Sequence, residues 1–239
     1  MKTISIIQPH FIPWIGFFEI INKSDIFVFL DNVKYPHGRS FINRNNLLRS
    51  DNQKLWITIP IKSKQKNLLI KHIKISKDFN KIKLLNNFRS IISNNKYFDE
   101  ANLLFEKILS RNFDNLSDLN IYSTKLICNY LNIKTKFYQS SKLQTEGKKN
   151  ELLISIMKNF DEISTYISGE GGQSYLDQKL FLNSGYELKM INYNFLIHSE
   201  FLDNYKCSIL QLISLYGSKI KSMFNSELQN PKLLVNGKN

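Results

Sequence analysis

The sequence predicts an α/β protein with a mostly parallel central sheet, flanking helices and a helical middle segment. Three observations carry this expectation. Apolar, β-branched runs at residues 3–7 and 25–30 bracket an amphipathic stretch, a strand–helix–strand opening that suits a parallel pair. Three successive stretches of helical apolar spacing fill the middle of the chain. Short apolar runs then alternate with helical segments again, out to residue 217.

The elements follow in order. After the first strand, Pro13 sits where a helix can begin, and Trp14, Phe17, Phe18 and Ile21 fall at i, i+3, i+4 and i+7, which predicts a helix to about Asn22. Residues 31–40, punctuated by Pro36 and Gly38, read as a loop at the carboxyl end of the second strand. Residues 41–49 and 54–61 read as further strands, the latter ending at Pro60 or lying at an edge. Another strand is expected over 69–75. Helices are expected over 79–94, 97–110 and 117–132, with Asp99 or Ser117 as caps. Strands at 136–138, 163–167 and 186–193 then alternate with helices at 147–159, 174–184 and 205–217. Residues 1–224 are expected to form a single domain with a helical insertion over about 79–132, and 225–239 a loosely ordered tail.

Composition narrows the function classes. A hydrophobic content of 42% with 13% aromatic residues excludes a disordered chain. No apolar run approaches the ~20 residues that cross a bilayer, so no membrane insertion is expected. The first apolar run stops at Gln8 with no small-residue cleavage site after it, which predicts a cytoplasmic first strand rather than a signal peptide. Cys128 and Cys207 lie in apolar helical patterns and read as packing thiols. The net charge of +13 raises a nucleic-acid reading. However, most of the basic residues are lysines spread along the whole chain, and alanine occurs once, at Ala101, a bias typical of codon composition. Weak, non-specific nucleic-acid binding and a general preference for anionic ligands are expected. A homodimer is a further expectation.

Two of the four histidines and three of the five arginines fall between residues 8 and 49. His37, in a loop between Pro36 and Gly38, suits proton transfer at neutral pH. Asp31 follows the second strand directly, where a carboxylate orients a base or a substrate hydroxyl; a turn or cap role fits it equally. His10 ends the first strand, so parallel pairing would release it at the same edge as Asp31. Its alternative is a structural histidine bonded to a loop carbonyl. Arg39 and Arg44 offer bidentate forks for phosphate, Arg44 first because Asn43 and Asn45 flank it; Arg49 fits a surface ion pair. Ser168-Gly169-Glu170-Gly171-Gly172-Gln173-Ser174-Tyr175 follows a strand and precedes a helix, where amides can approach an anion, although a tight turn explains it too. The scattered aromatics read as core.

Several motifs in order resemble the WbqC-like family. They are Gln8-Pro9-x-Phe11-x-Pro13-Trp14-x-Gly16, Asp31-x-Val33-x-Tyr35 with His37-Gly38, and Ile42-Asn43-Arg44-Asn45; then Lys149-x-Glu151, Ser168-Gly169-x-Gly171-Gly172-x-x-Tyr175-Leu176, and the Ser208–Gly217 helix. The resemblance covers about residues 3–217. It implies surface-glycan (O-antigen) biosynthesis and N-acylation of the amino group of a nucleotide-linked amino sugar. Acetyl-CoA or another acyl-CoA would be the donor and co-substrate, with no tightly bound cofactor and no metal; a glycine or other aminoacyl transfer is one alternative, and a basic nucleic-acid-binding or non-catalytic glycan-assembly protein is an alternative of a different class. Under that implication His37, Asp31 and Asn43 are the catalytic group. Gln8, His10, Tyr35, Arg39 and Arg44 contact the sugar nucleotide, and Gly169, Gly171, Gly172 and Tyr175 hold the co-substrate. Asn32 stands where relatives often carry a second aspartate, so Asp31 would act alone.

Overall fold

A computed structural model of the chain describes residues 2–36, 40–49, 51, 53–63, 65, 67–193, 206–224 and 227–229. His37, Gly38 and Arg39 lie outside the described residues, as does most of the stretch read as a tail.

The central sheet has the order β5-β2-β1-β6-β7-β8. Its strands are β1 (Lys2–Ile7), β2 (Ile26–Phe29), β5 (Lys136–Gln139), β6 (Ile163–Ser168), β7 (Glu187–Asn192) and β8 (Glu227–Gln229). β1 pairs in parallel with both β2 and β6, β2 with β5, and β6 with β7; only β8 runs antiparallel, on β7. Each strand at the centre is buried on both sides, which is why its sequence is apolar at successive positions. The pleat divides those side chains between two cores. Phe27, Phe29, Ile167 and Ile191 face a layer of α1 (Ile15–Asn22), α2 (Lys81–Ile92), α3 (Phe98–Ser110), α4 (Leu116–Tyr130) and α7 (Ile209–Tyr216). Ile4, Ile6, Ile26, Val28, Tyr166 and Met190 face α5 (Asn150–Met157) and α6 (Gln178–Asn183). The result is a three-layer α/β/α molecule. The buried Ser5 fits this interior because its hydroxyl donates to Ile167 O at 2.8 Å and meets Ser24 Oγ at 2.7 Å.

β3 (Arg44–Leu48) and β4 (Lys54–Thr58) form a separate antiparallel hairpin, paired from Arg44↔Thr58 to Leu48↔Lys54. Asn45, Leu47 and Ile57 point inward, and Arg44, Asn46, Trp56 and Thr58 share the other face. Gln211 of α7 grips its end, with Leu48 N donating to Gln211 Oε1 at 2.7 Å and Gln211 Nε2 to Leu48 O at 2.8 Å.

Two expectations need correction. Residues 69–75 are not a strand; Ile70–His72 form a 3-10 turn, closed by His72 N→Leu69 O and Ile73 N→Ile70 O. Ile70 and Ile73 are fully buried three residues apart, a spacing a tight turn satisfies and a pleat does not. Asp99 and Ser117 are not caps: they lie inside the first turns of α3 and α4, behind Tyr97 and Asn115. Asn80 does cap, its side chain accepting from Lys83 N in α2.

Candidate functional site

The chain winds from β1 to β2 to β5 on one side of the sheet, then crosses to β6 and β7 on the other. Successive crossovers therefore part between β1 and β6. In open parallel sheets this point leaves a crevice beyond the strands' carboxyl ends, and ligands bind there. Gln8-Pro9-His10 leaves β1 at that crevice, and Gly169–Gly172 leaves β6 beside it. Asp31 leaves β2 at the same edge.

His10 is half-buried here. It stands 5.3 Å from the Phe17 ring and 6.3 Å from Phe41, measured between centroids. Desolvation by burial lowers its pKa from 6.5 to about 4, so the imidazole is neutral at physiological pH. Phe41 continues toward the hairpin, 6.0 Å from the Trp56 ring, and the Arg44 guanidinium lies 4.5 Å over Trp56. Phe41 and Trp56 are 48% and 44% exposed, unlike the packed aromatics elsewhere. Tyr35 is buried, and its hydroxyl donates to Asn43 Oδ1 at 2.9 Å. Burial raises the Tyr35 pKa, opposed by the nearby charge of Arg44. Asn43 Nδ2 in turn donates to Ile59 O at 3.2 Å, so part of the Asn43 amide serves to fix the loop.

Asp31 is 1% exposed and hydrogen-bonded through both oxygens. Its Oδ1 accepts from Ser141 N at 2.9 Å and Ser140 Oγ at 3.0 Å, and its Oδ2 from Ser141 Oγ at 2.8 Å. The carboxylate thus ties the end of β2 to the end of β5. Asn32, next to it, donates through Nδ2 to Thr145 Oγ1 at 3.0 Å.

At the glycine-rich turn, a Cβ on Gly169 would come within 2.8 Å of the Tyr193 hydroxyl, and one on Gly172 within 2.2 Å of Ser168 Oγ. These two glycines permit close packing. A Cβ on Gly171 would meet nothing within 4 Å, and Tyr175 is exposed. Tyr193, whose hydroxyl donates to Gly16 O at 3.2 Å, has its pKa raised by burial and then by the carboxylates of Glu170 and Glu19. Negative charge therefore already stands beside this turn.

The β1–α1 connection is held from three sides, by Asn45 and Ser208, which stand in the motifs without an assigned role, and by Asn120, which the motifs do not include. Ile12 adopts φ 36°, a strained value for a β-branched residue. Its carbonyl accepts from Asn45 Nδ2 and from Ser208 Oγ, both at 2.8 Å. Asn120, buried in α4, donates to Pro9 O at 2.9 Å and Ile42 O at 2.7 Å. The available signal was a run of polar residues, Ser117, Asn120, Ser123 and Thr124, at helical spacing and all buried.

Other features lie apart from this crevice. Arg49 pairs with Asp51 at 2.6 Å on the surface. Cys128 and Cys207 are buried, and desolvation raises both thiols, Cys207 to about 12, so neither is a ready thiolate. A cavity of about 650 Å³ opens at the opposite, amino-terminal edge of the sheet, where Lys2, Asp25, Lys136 and Glu162 mix both signs of charge. Among the described residues, no group of His, Cys, Asp and Glu is arranged to hold a metal, and no helix is long and apolar enough to cross a membrane.

A model of the WbqC-like protein family matches residues 8–220. The chain is also similar to the uncharacterized protein Rv1507c of Mycobacterium tuberculosis (strain ATCC 25618 / H37Rv), 30% identical over 191 residues, covering 76% of this chain and 78% of the relative. No solved structure matches it.

Proposed function

The chain belongs to the WbqC-like protein family, and from that premise we propose that it is an N-acyltransferase of surface-glycan biosynthesis. It would move an acyl group, from acetyl-CoA or another acyl-CoA, onto the amino group of a nucleotide-linked amino sugar. The observation that carries this reading is the neutral, partly open His10 at the switch point between β1 and β6. Such a crevice takes a substrate, and an uncharged imidazole there does not repel an amine nucleophile.

The chemistry asks for three things. The amine nitrogen attacks the thioester carbonyl, the carbon–sulfur bond breaks from the tetrahedral adduct, and CoA leaves as its thiolate. One proton must leave the nitrogen, and a histidine is the natural acceptor. His37 is the proposed base, with His10 beside the acceptor sugar. The oxyanion needs a donor worth ~3 kcal/mol, and the second N–H of Asn43 is proposed for it, its first being committed to Ile59 O. Asp31, which accepts from Ser140 and Ser141, ties down the β2–β5 edge, and the lone pair left on Oδ2 is proposed to face an imidazole or a sugar hydroxyl.

The test is thiol release from acetyl-CoA in the presence of UDP-, dTDP- and GDP-linked amino sugars. Turnover with at least one acceptor is expected, and silence with every acceptor and with longer acyl-CoA donors overturns the reading. His37→Asn and His10→Asn then separate the two histidines: the base should lose about 10²-fold or more in kcat, the other mainly raise KM.

A further inference from the structure

Three features of the hairpin side of the crevice find no use in the fold. First, Phe41 and Trp56 hold large apolar rings half in solvent, 6.0 Å apart, although the other described phenylalanines are buried in two cores or packed partly buried against them. Second, Arg44 makes no hydrogen bond to any described residue, and its Nη2 is buried with no partner. An unmatched guanidinium N–H in a protein interior is costly, and sites keep such donors when a ligand anion completes them. Third, the row Trp56–Phe41–His10 runs from this surface into the crevice without a break.

The charge distribution points the same way. The glycine-rich turn across the crevice stands beside Glu19 and Glu170, a poor setting for a phosphate. Arg44 has no carboxylate beside it among the described ion pairs. Its guanidinium lies over Trp56, which keeps the cation beside the exposed rings.

We propose that Phe41, Trp56 and Arg44 form a nucleoside-diphosphate subsite, in which the base stacks on the exposed rings and the diphosphate takes the open hydrogen bonds of Arg44. This deepens the reading given above and rests on its nucleotide-bearing substrates. A base offers a π-face to any aromatic platform, so stacking accepts it without regard to its edge. Reaching Arg44 Nη2 needs only a swing of a flexible side chain that is itself partly exposed. Both substrates of the proposed reaction carry this chemistry: the sugar nucleotide, and CoA through its adenosine diphosphate.

Trp56 reports on its own subsite. Titration of the full-length protein with UDP, dTDP, GDP and CoA is expected to quench its fluorescence. Trp56→Phe should abolish the quench, leaving only Trp14 emission, while keeping affinity within about threefold, because a ring remains to stack on. Trp56→Ala and Arg44→Gln should each weaken binding about tenfold or more, as judged by equilibrium dialysis with labelled nucleotide. Quench by UDP, dTDP or GDP, or by CoA, supports the subsite and identifies which substrate occupies it. Quench by none of them overturns it, as does an affinity unchanged in both Trp56→Ala and Arg44→Gln with the fold intact by circular dichroism. The two readings fail separately: nucleotides that quench Trp56 without any acyl transfer retain the subsite and remove the acyltransferase. Transfer with unaltered KM in both variants does the reverse.

Discussion

At the scale of single residues, His10 has the clearest measurable signature. Burial lowers its pKa to about 4 against an ordinary value near 6.5. Between those values the unfolded chain binds a proton that the folded protein refuses. Stability attributable to His10 is therefore complete above pH 6.5, falls as the pH drops to 4, and changes no further below it. The full loss is on the order of 3 kcal/mol. His10→Gln should lack this component, so urea unfolding at pH 7, 5.5 and 4.5 should bring the two proteins' stabilities together in acid. A constant difference between them would contradict the buried neutral imidazole. The sequence made His10 and Asp31 visible as polar groups ending apolar strands, and parallel pairing does release both at one edge. It did not reveal that Asp31 is bonded to serines 109 and 110 positions away, because side-chain hydrogen bonds between distant segments leave no local pattern. Phe41 and Trp56 were illegible for a different reason: the same residue types pack the core, and only the hairpin's register shows which face is exposed.

At the scale of elements, the site is a set of loops clamped onto helices. Asn120 is the joint between α4 and two of them, donating at once to Pro9 O and Ile42 O. Asn120→Leu keeps the volume but leaves two buried carbonyls without donors, at a cost of about 2–4 kcal/mol. Chemical denaturation should show that loss, and a change below ~1 kcal/mol would mean the loops are held otherwise. Acceptor KM should rise in the same variant, since His10 follows Pro9 directly. The strained Ile12 makes a second joint, with Asn45 and Ser208 holding its carbonyl from the hairpin and from the start of α7. Most elements were readable from apolar period, because strands buried on both faces give continuous apolar runs and helices buried on one give spaced ones. Residues 69–75 misled because two isoleucines three apart satisfy a 3-10 turn while their neighbours alternate like a strand. The period also cannot say which sheet a strand joins, so the detachment of β3 and β4 from the main sheet was not legible.

At the scale of the whole molecule, strand order and charge act together. The order β5-β2-β1-β6-β7 places one switch point at the centre of the sheet, so a single crevice gathers the ends of β1 and β6 with those of β2 and β5 nearby. Around it the chain carries a net charge of +13, distributed over its length rather than set in one stripe. Such a field attracts any polyanion weakly and a small anionic substrate usefully, by raising its encounter rate. Salt screens the field, the Debye length being ~8 Å at physiological ionic strength. For the proposed reaction, kcat/KM toward a nucleotide-linked amino sugar should fall several-fold between about 0.02 and 0.5 M salt while kcat holds steady. The corresponding amino sugar without its nucleotide carries only the positive charge of its amine, so its kcat/KM should hold level or rise over the same range. DNA and RNA should bind weakly, with a steep loss in salt and no preference for sequence, as counterion release dictates. If the nucleotide-free sugar showed the same fall with salt as the nucleotide form, salt would be acting on the protein's own fold, and the distributed charge would have no part in capturing substrate.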